Sequence, residues 1–229
     1  MLHHSRGIVL NYIKYRETSI IVRIFTEAFG MQSYIVNSVR SAKSKGKIAL
    51  YQPLTLLDMV VYRKAEKDIQ RISEARCAMP FTSIPFEPVK TGMSIFLTEV
   101  LSKLLKEESE NRELFDFMFS AIQVFDHLQE GVVNFHLQFL LKCSAYLGFK
   151  PDSADDFLLQ LSEYGLHLTT ENEEREVINQ LLQLPLGGPI HITNQFRREL
   201  LDHIIKFYRL HTESLHEIKS LEVLKEVLS

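Results

Sequence analysis

The chain has 229 residues, 45% of them hydrophobic, which is enough to bury a core in one large domain or two modest ones and argues against disorder. Its net charge of −3 hides an asymmetry: residues 1–80 hold 13 Lys/Arg against 6 Asp/Glu, and the remainder holds 13 against 23. No apolar run is long enough to cross a bilayer, and the opening MLHHSRGIVLNYIKYRE turns polar too early for a signal peptide, so a soluble intracellular protein without a membrane partner is expected.

From Arg6 to about Cys77 the apolar pattern has period 2, as expected where one face of a strand meets a core. Ile20, Val22 and Ile24 face one way; Ile21, Arg23 and Phe25 face the other, as in a small closed barrel. Strands are predicted over Ser19–Thr26 and Met31–Ser38, reversing at Gly30, then over Leu54–Tyr62 and Ile69–Cys77, joined by the charged hairpin RKAEKD. Between them RSAKSKGK, residues 40–47, reads as an exposed cationic loop. Five strands in about 75 residues fit a Greek-key barrel of the OB type.

Three prolines, Pro80, Pro85 and Pro88, interrupt regular structure and mark the junction between an OB-fold nucleic-acid-binding domain, residues 1–80, and an all-α helical domain, residues 81–229. Met93, Phe96, Leu97, Val100, Leu101, Leu104 and Leu105 then form one stripe of helical period. Further helices are predicted over Glu113–Gln129, Val132–Leu147 (stopped by Gly148 and Pro151), Glu171–Leu184 with a Thr170/Glu173 capping box, from a Thr193 or Asn194 cap to Leu210, and from Ser220. Residues 152–169 are ambiguous, with YGLHLT a candidate extended piece.

Catalytic constellations are weak. Cys77 and Cys143 lack CxxC spacing, and the nine histidines form neither an i,i+4 pair nor a Cys/His cluster, so no disulfide framework, metal or cofactor is expected. Gly187 and Gly188 lie between prolines without a phosphate-loop pattern and read as a helix–helix turn. Asp155 and Asp156 are adjacent and would diverge on a helix, while Asp116 and Asp126 lie about 15 Å apart along one helix, too far for a shared metal. His136 and His203 fall in helical stripes and read as packing residues with satisfied rings. The expected protein is not an enzyme.

The basic segment carries Lys14, Arg16, Arg23, Arg40, Lys43, Lys45, Lys47, Arg63 and Lys64, interleaved with Tyr12, Tyr15, Tyr34 and Tyr62. Cations that follow phosphates and aromatic faces that accept bases are the two elements of single-strand binding, and Tyr34 is taken with the nine cations as the candidate DNA-binding set. Strand packing is the competing reading for tyrosines.

These residues resemble the RecO family of bacterial recombination mediators. The resemblance rests on YRETS (Tyr15–Ser19) followed by Phe25, Thr26 and Gly30; on Arg40, Lys43 and Ser44 in the basic loop; on Gln52–Pro53 and Glu74; and on Leu147–Gly148–Phe149 and Lys219–Ser220–Leu221. Two departures stand out. Asn37, Ser38 and Val39 occupy the place of a common lysine–glycine–alanine run, and residues 150–186 hold no cysteine where many members carry a four-cysteine zinc module, as in the family's zinc-less members.

The resemblance implies an OB-fold followed by a helical domain, binding of single- and double-stranded DNA, strand annealing, and indirect help to RecA in loading onto DNA coated by single-strand-binding protein. It also implies RecR and the acidic, apolar tail of single-strand-binding protein as partners, in the cytoplasm at the bacterial nucleoid. Phe135, Phe139 and Lys142, at i, i+4 and i+7, are the candidate tail site, with packing inside the domain as the competing reading. An OB module acting on RNA and a metal-dependent nuclease remain as alternatives.

Overall fold

The computed structural model describes residues 1–41, 46–64, 66–105, 109–163, 165 and 172–228. Five strands, β1 (Leu2–Tyr15), β2 (Ser19–Thr26), β3 (Gly30–Val36), β4 (Leu56–Tyr62) and β5 (Ile69–Cys77), close into a barrel in the order β1-β2-β3-β5-β4. A 3₁₀ helix, Lys47–Tyr51, lies between β3 and β4. Only β3 and β5 pair in parallel, which completes the OB topology. Seven α-helices follow among the described residues: α1 (Pro88–Leu104), α2 (Arg112–His127), α3 (Phe135–Tyr146), α4 (Ala154–Glu163), α5 (Asn172–Gln183), α6 (Asn194–His211) and α7 (Ser220–Val227). The fold is the expected OB barrel followed by helices. The Thr170 capping box and most of YGLHLT lie outside the described residues.

Two strand ends differ from the sequence expectation for a backbone reason. Ser38 (φ 61°) and Leu54 (φ 63°) are left-handed, a conformation that cannot continue a ladder, so β3 stops at Val36 and β4 starts at Leu56.

Closure depends on β1, which serves two neighbours. Residues 2–8 pair with β4 and residues 7–15 with β2, with an irregularity between Val9 and Asn11 that lets the strand bend. Gly7 sits in the overlap, opposite both Leu57 and Thr26. A Cβ there would lie 2.5 Å from Met59 Cε and 2.7 Å from Ile24 Cγ2, inside the barrel core of Val9, Ile20, Val22, Ile24, Leu57 and Met59. Gly7→Val should therefore cost about 1–3 kcal/mol through overpacking. A urea-unfolding difference below about 0.5 kcal/mol, the level of an ordinary surface substitution, would show that the core yields instead.

The chain divides into two compact units: Met1–Thr82 with Leu97–Phe119, and Ser83–Phe96 with Ser120–Ser229. In the first, helical residues pack on the outside of β1 and β2. Asn11 donates to Ser102 Oγ (2.8 Å), Phe115 meets Phe25 (6.1 Å between centroids), and Arg6 bonds Asp116 (2.7 Å) beneath the Phe115 and Phe119 rings. Apolar periodicity shows which face of a helix is buried but not which core receives it, so residues 97–119 carry no sequence sign of belonging with the barrel.

In the second unit α3 is central: nine of its twelve residues are buried, so its polar side chains must find partners inside the protein. Gln138 donates to the carbonyls of Leu184 and Pro185 and accepts from the Gly187 N–H, shaping the LPLGGPI turn between α5 and α6. Asn134 donates to Ile190 O and accepts from Arg197, whose remaining bonds go to Asn194 and Ile192. His136 departs from expectation: it is fully buried, edge-on to Phe96, and neither ring nitrogen has a hydrogen-bond partner among the described residues.

Helix α4 resolves the ambiguous stretch. Its buried Ala154, Phe157, Leu158 and Leu161 fall at i, i+3, i+4 and i+7, and the Ser153 hydroxyl caps it by accepting from the Asp156 N–H. Asp155 and Asp156 are the acids of its first turn, where they favour the helix dipole.

Candidate nucleic-acid interface

The turn from β1 to β2 collects cations at one end of the barrel. Lys14, the penultimate residue of β1, is exposed. Arg16 takes φ 51° in the turn, with its guanidinium over the Tyr15 ring (5.3 Å). Arg40 is drawn to the same place: its backbone N–H donates to Thr18 O (3.0 Å) and its guanidinium to Arg16 O (3.3 Å). Lys47 begins the 3₁₀ helix, exposed, after Gly46 at φ 89°. Lys43 and Lys45 lie outside the described residues.

Strand register places Arg23 on the outside of β2, opposite Asn11 of β1 and Ser33 of β3. It is half-buried, and burial holds its guanidinium below the usual range. Beside it runs an outward row of Ile13, Ile21 and Ile35, continued by Arg71 of β5 and Tyr62 of β4, with Ile13 62% and Tyr62 45% exposed. Arg63 and Lys64 occupy the β4–β5 hairpin, at the barrel end where β2 turns into β3. The eight residues of β2 separate the two ends by about 25 Å.

The barrel's cations fall into two groups. Arg6 pairs with Glu27 (2.9 Å) and Asp116, Arg76 pairs with Asp58 (3.2 Å), and these lie on the outer face of β1, β4 and β5 around a 660 Å³ concavity that also holds Glu74. The Arg6 hydrogen bond holds the Glu27 carboxyl below the ordinary carboxylate range. By contrast Lys14, Arg16, Arg23, Arg40, Lys47, Arg63 and Lys64 have no carboxylate partner among the described residues. An unpaired cation neutralises a phosphate without first breaking an ion pair.

Two expectations are corrected. Tyr34 is 1% exposed and lies in the barrel core, because it stands opposite inward-facing Val22 while Ser33 and Ile35 point outward. It cannot stack a base. Burial pushes its phenol well above the ordinary range. Tyr12 also packs on that core, which leaves Tyr62 as the more accessible ring on the face.

The partner site on α3 is likewise withdrawn. Phe135 and Phe139 are 2% and 1% exposed; Phe135 stacks on Phe125 at 4.4 Å and lies 5.9 Å from Phe139. Lys142 Nζ donates to Leu182 O (3.0 Å), tying α3 to α5 rather than rimming a groove. On a helix with nine of its twelve residues buried, i, i+4 spacing marks no surface.

The aspartates weighed for metal chemistry have separate partners. Asp116 binds Arg6, Asp126 accepts from the N–H groups of Ser83 and Ile84, Asp155 pairs with Arg175, and Asp156 accepts from the Asp152 N–H and Gln160. Among the described residues no three His, Cys, Asp or Glu side chains converge as a metal site, and no helix is long and apolar enough to cross a membrane.

An OB barrel whose end loops and β2 face carry cations with no carboxylate partner among the described residues, followed by an all-helical part, defines the class: an OB-barrel protein with a helical C-terminal region. The family model described as Recombination protein O N terminal matches residues 1–81, and that described as Recombination protein O C terminal matches residues 85–159. The chain is similar to the DNA repair protein RecO of Bacteroides fragilis, at 35% identity over 99% of both chains. It is also similar to that of Flavobacterium psychrophilum, at 34% identity over 98% of both, and of Phocaeicola vulgatus, at 33% over the whole of both. The chain belongs to the RecO family of DNA repair proteins.

Proposed function

We propose that this chain is a DNA-binding recombination mediator that works by holding and exchanging strands, without covalent chemistry. The observation that carries the reading is the division of the barrel's cations: those of the β1–β2 turn, the following loop, the β2 face and the β4–β5 hairpin lack carboxylate partners among the described residues, whereas Arg6 and Arg76 are neutralised within the fold. A single strand lies across this face with its phosphates on the cations and its bases free to pair. Charge neutralisation without base capture favours annealing, and double-stranded DNA engages the same cations through its backbone.

The acidic helical part adds nothing to phosphate attraction and is assigned to partners: RecR, and the tail of single-strand-binding protein, through which RecA is helped onto coated DNA. The setting is the cytoplasm of a bacterium, at the nucleoid.

The test is fluorescence anisotropy of a labelled 30-nucleotide strand across a salt series. The variant Lys14→Ala/Arg16→Ala/Arg40→Ala/Lys47→Ala should bind on the order of a hundredfold more weakly at 0.15 M salt. Its log–log slope should be flatter by about 0.7 for each phosphate that is no longer neutralised. Arg76→Ala, which removes a cation of 82% exposure that is already paired with Asp58, should leave affinity and slope unchanged. Equal losses in the two variants would mean that net charge, not this face, attracts DNA.

A further inference from the structure

At the barrel end farthest from Arg16, the β4–β5 hairpin carries Arg63, Lys64 and Lys67, none paired with a carboxylate among the described residues. A hairpin of this composition would ordinarily sample many shapes. Its described backbone is instead tied by Gln70, the second residue of β5. Its side chain is 6% exposed and turned back into the hairpin, where Oε1 accepts from the Lys64 N–H (2.9 Å) and Nε2 donates to the carbonyls of Lys64 (2.8 Å) and Lys67. The Lys67 N–H closes the turn on Lys64 O (3.2 Å).

Arg63 is held independently. Its guanidinium lies over the Phe29 ring at 4.6 Å, Phe29 is met edge-on by His3 at 5.4 Å, and its N–H donates to Met1 O (3.1 Å). Neither restraint uses up a charge: Gln70 binds only backbone, and a ring face attracts a cation without neutralising it.

We propose that this corner is a preorganised phosphate contact of the nucleic-acid face, in which Gln70 is the positioning residue for Lys64 and Lys67, and Phe29 for Arg63. This rests on the nucleic-acid reading above. A backbone already tied at Lys64 and Lys67, and a guanidinium already seated on a ring at Arg63, lose less freedom when a ligand arrives, so the restraint appears as affinity and not as additional charge.

That distinction supplies the test. Gln70→Met keeps length and apolar volume but loses all three bonds. It should weaken binding of the labelled 30-nucleotide strand about three- to tenfold, with the salt slope unchanged because the number of cations is unchanged. Phe29→Leu, which retains packing on the core, should weaken it about two- to threefold through Arg63 alone and covers the case in which Gln70→Met does not fold.

The deciding measurement is a double-mutant cycle of Gln70→Met with Lys64→Ala/Lys67→Ala. Once those cations are gone, loss of Gln70 should have no further effect. Additive losses, or unchanged affinity in Gln70→Met together with faster exchange of the Lys64 amide, would overturn the proposal, since hairpin order would then not matter to binding. Failure of the nucleic-acid reading looks different: the wild type would show no salt-dependent binding, and Lys64→Ala/Lys67→Ala would change nothing.

Discussion

Lys90→Met should destabilise the second unit by about 3–5 kcal/mol, the cost of removing one partner from a buried charge network. Lys90 is fully buried. Its ammonium donates to Ser83 Oγ (2.6 Å), Leu128 O (2.7 Å) and Asp126 O (3.1 Å), with Glu87 at 3.6 Å. The Asp126 carboxylate, equally buried, accepts from the N–H groups of Ser83 and Ile84, both at 3.0 Å. Together the two residues join the segment entering α1 to the end of α2. Methionine fills the volume of the lysine stem but takes the ammonium from Leu128 O and from Asp126 O, the second of which keeps only the Ser83 hydroxyl as a side-chain donor, and it removes the only fully buried cation near the Asp126 carboxylate among the described residues. The chain has no tryptophan, so the measurement is urea unfolding followed by helical circular dichroism. A loss under about 1 kcal/mol would mean that water replaces the ammonium and that the network is not structural.

His136 gives the second large effect, as a dependence on acid. Burial, and after it the neighbouring Arg197 guanidinium, lowers its pKa from an ordinary 6.5 to about 3; the Val133 carbonyl opposes this only weakly and is not placed for a hydrogen bond. The folded protein therefore keeps the ring neutral while the unfolded chain protonates it near pH 6.5. Stability from this group is fully present above pH 6.5 and is lost as pH falls from there toward 3, at up to about 1.4 kcal/mol per pH unit, or about 2 kcal/mol by pH 5. His136→Leu keeps the packing against Phe96 and cannot protonate. Its stability should match or exceed that of the wild type at pH 7.5 and should fall less between pH 7 and 5. Parallel stability–pH curves for the two proteins would assign the acid dependence to other groups.

Much of the barrel is legible in the sequence, because the alternation of a strand's two faces is a local property. Ile20, Val22 and Ile24 mark one face of Ser19–Thr26, and β2 has those bounds. Where a strand ends elsewhere than the pattern suggests, the cause is a left-handed Ser38 or Leu54, and neither residue type announces that conformation. Helix α4 is present in the spacing of Ala154, Phe157, Leu158 and Leu161, and its cap is an ordinary serine, Ser153, yet a helix this short is hard to separate from irregular chain by period alone. The candidate site is legible in composition but not in arrangement. Lysines and arginines can be counted, but whether Arg76 meets Asp58 or Arg16 stays free depends on strands that pair across the barrel.

The sequence by itself determined the periods, and with them five strands then helices, a basic first third and an acidic remainder. It also carried enough of the family's pattern for membership to be read. Tertiary structure decided which aromatic rings are surface and which are core: Tyr34 went inside the barrel, Phe135 and Phe139 inside the helical unit, and Phe29 beneath Arg63. It also decided which cations are spent on carboxylates and which have no carboxylate partner among the described residues. The physical reason is the range of the information. A period describes one element's own two faces, whereas burial and charge pairing depend on what the opposing element brings, and that element stands far away in sequence: 110 residues separate Arg6 from Asp116.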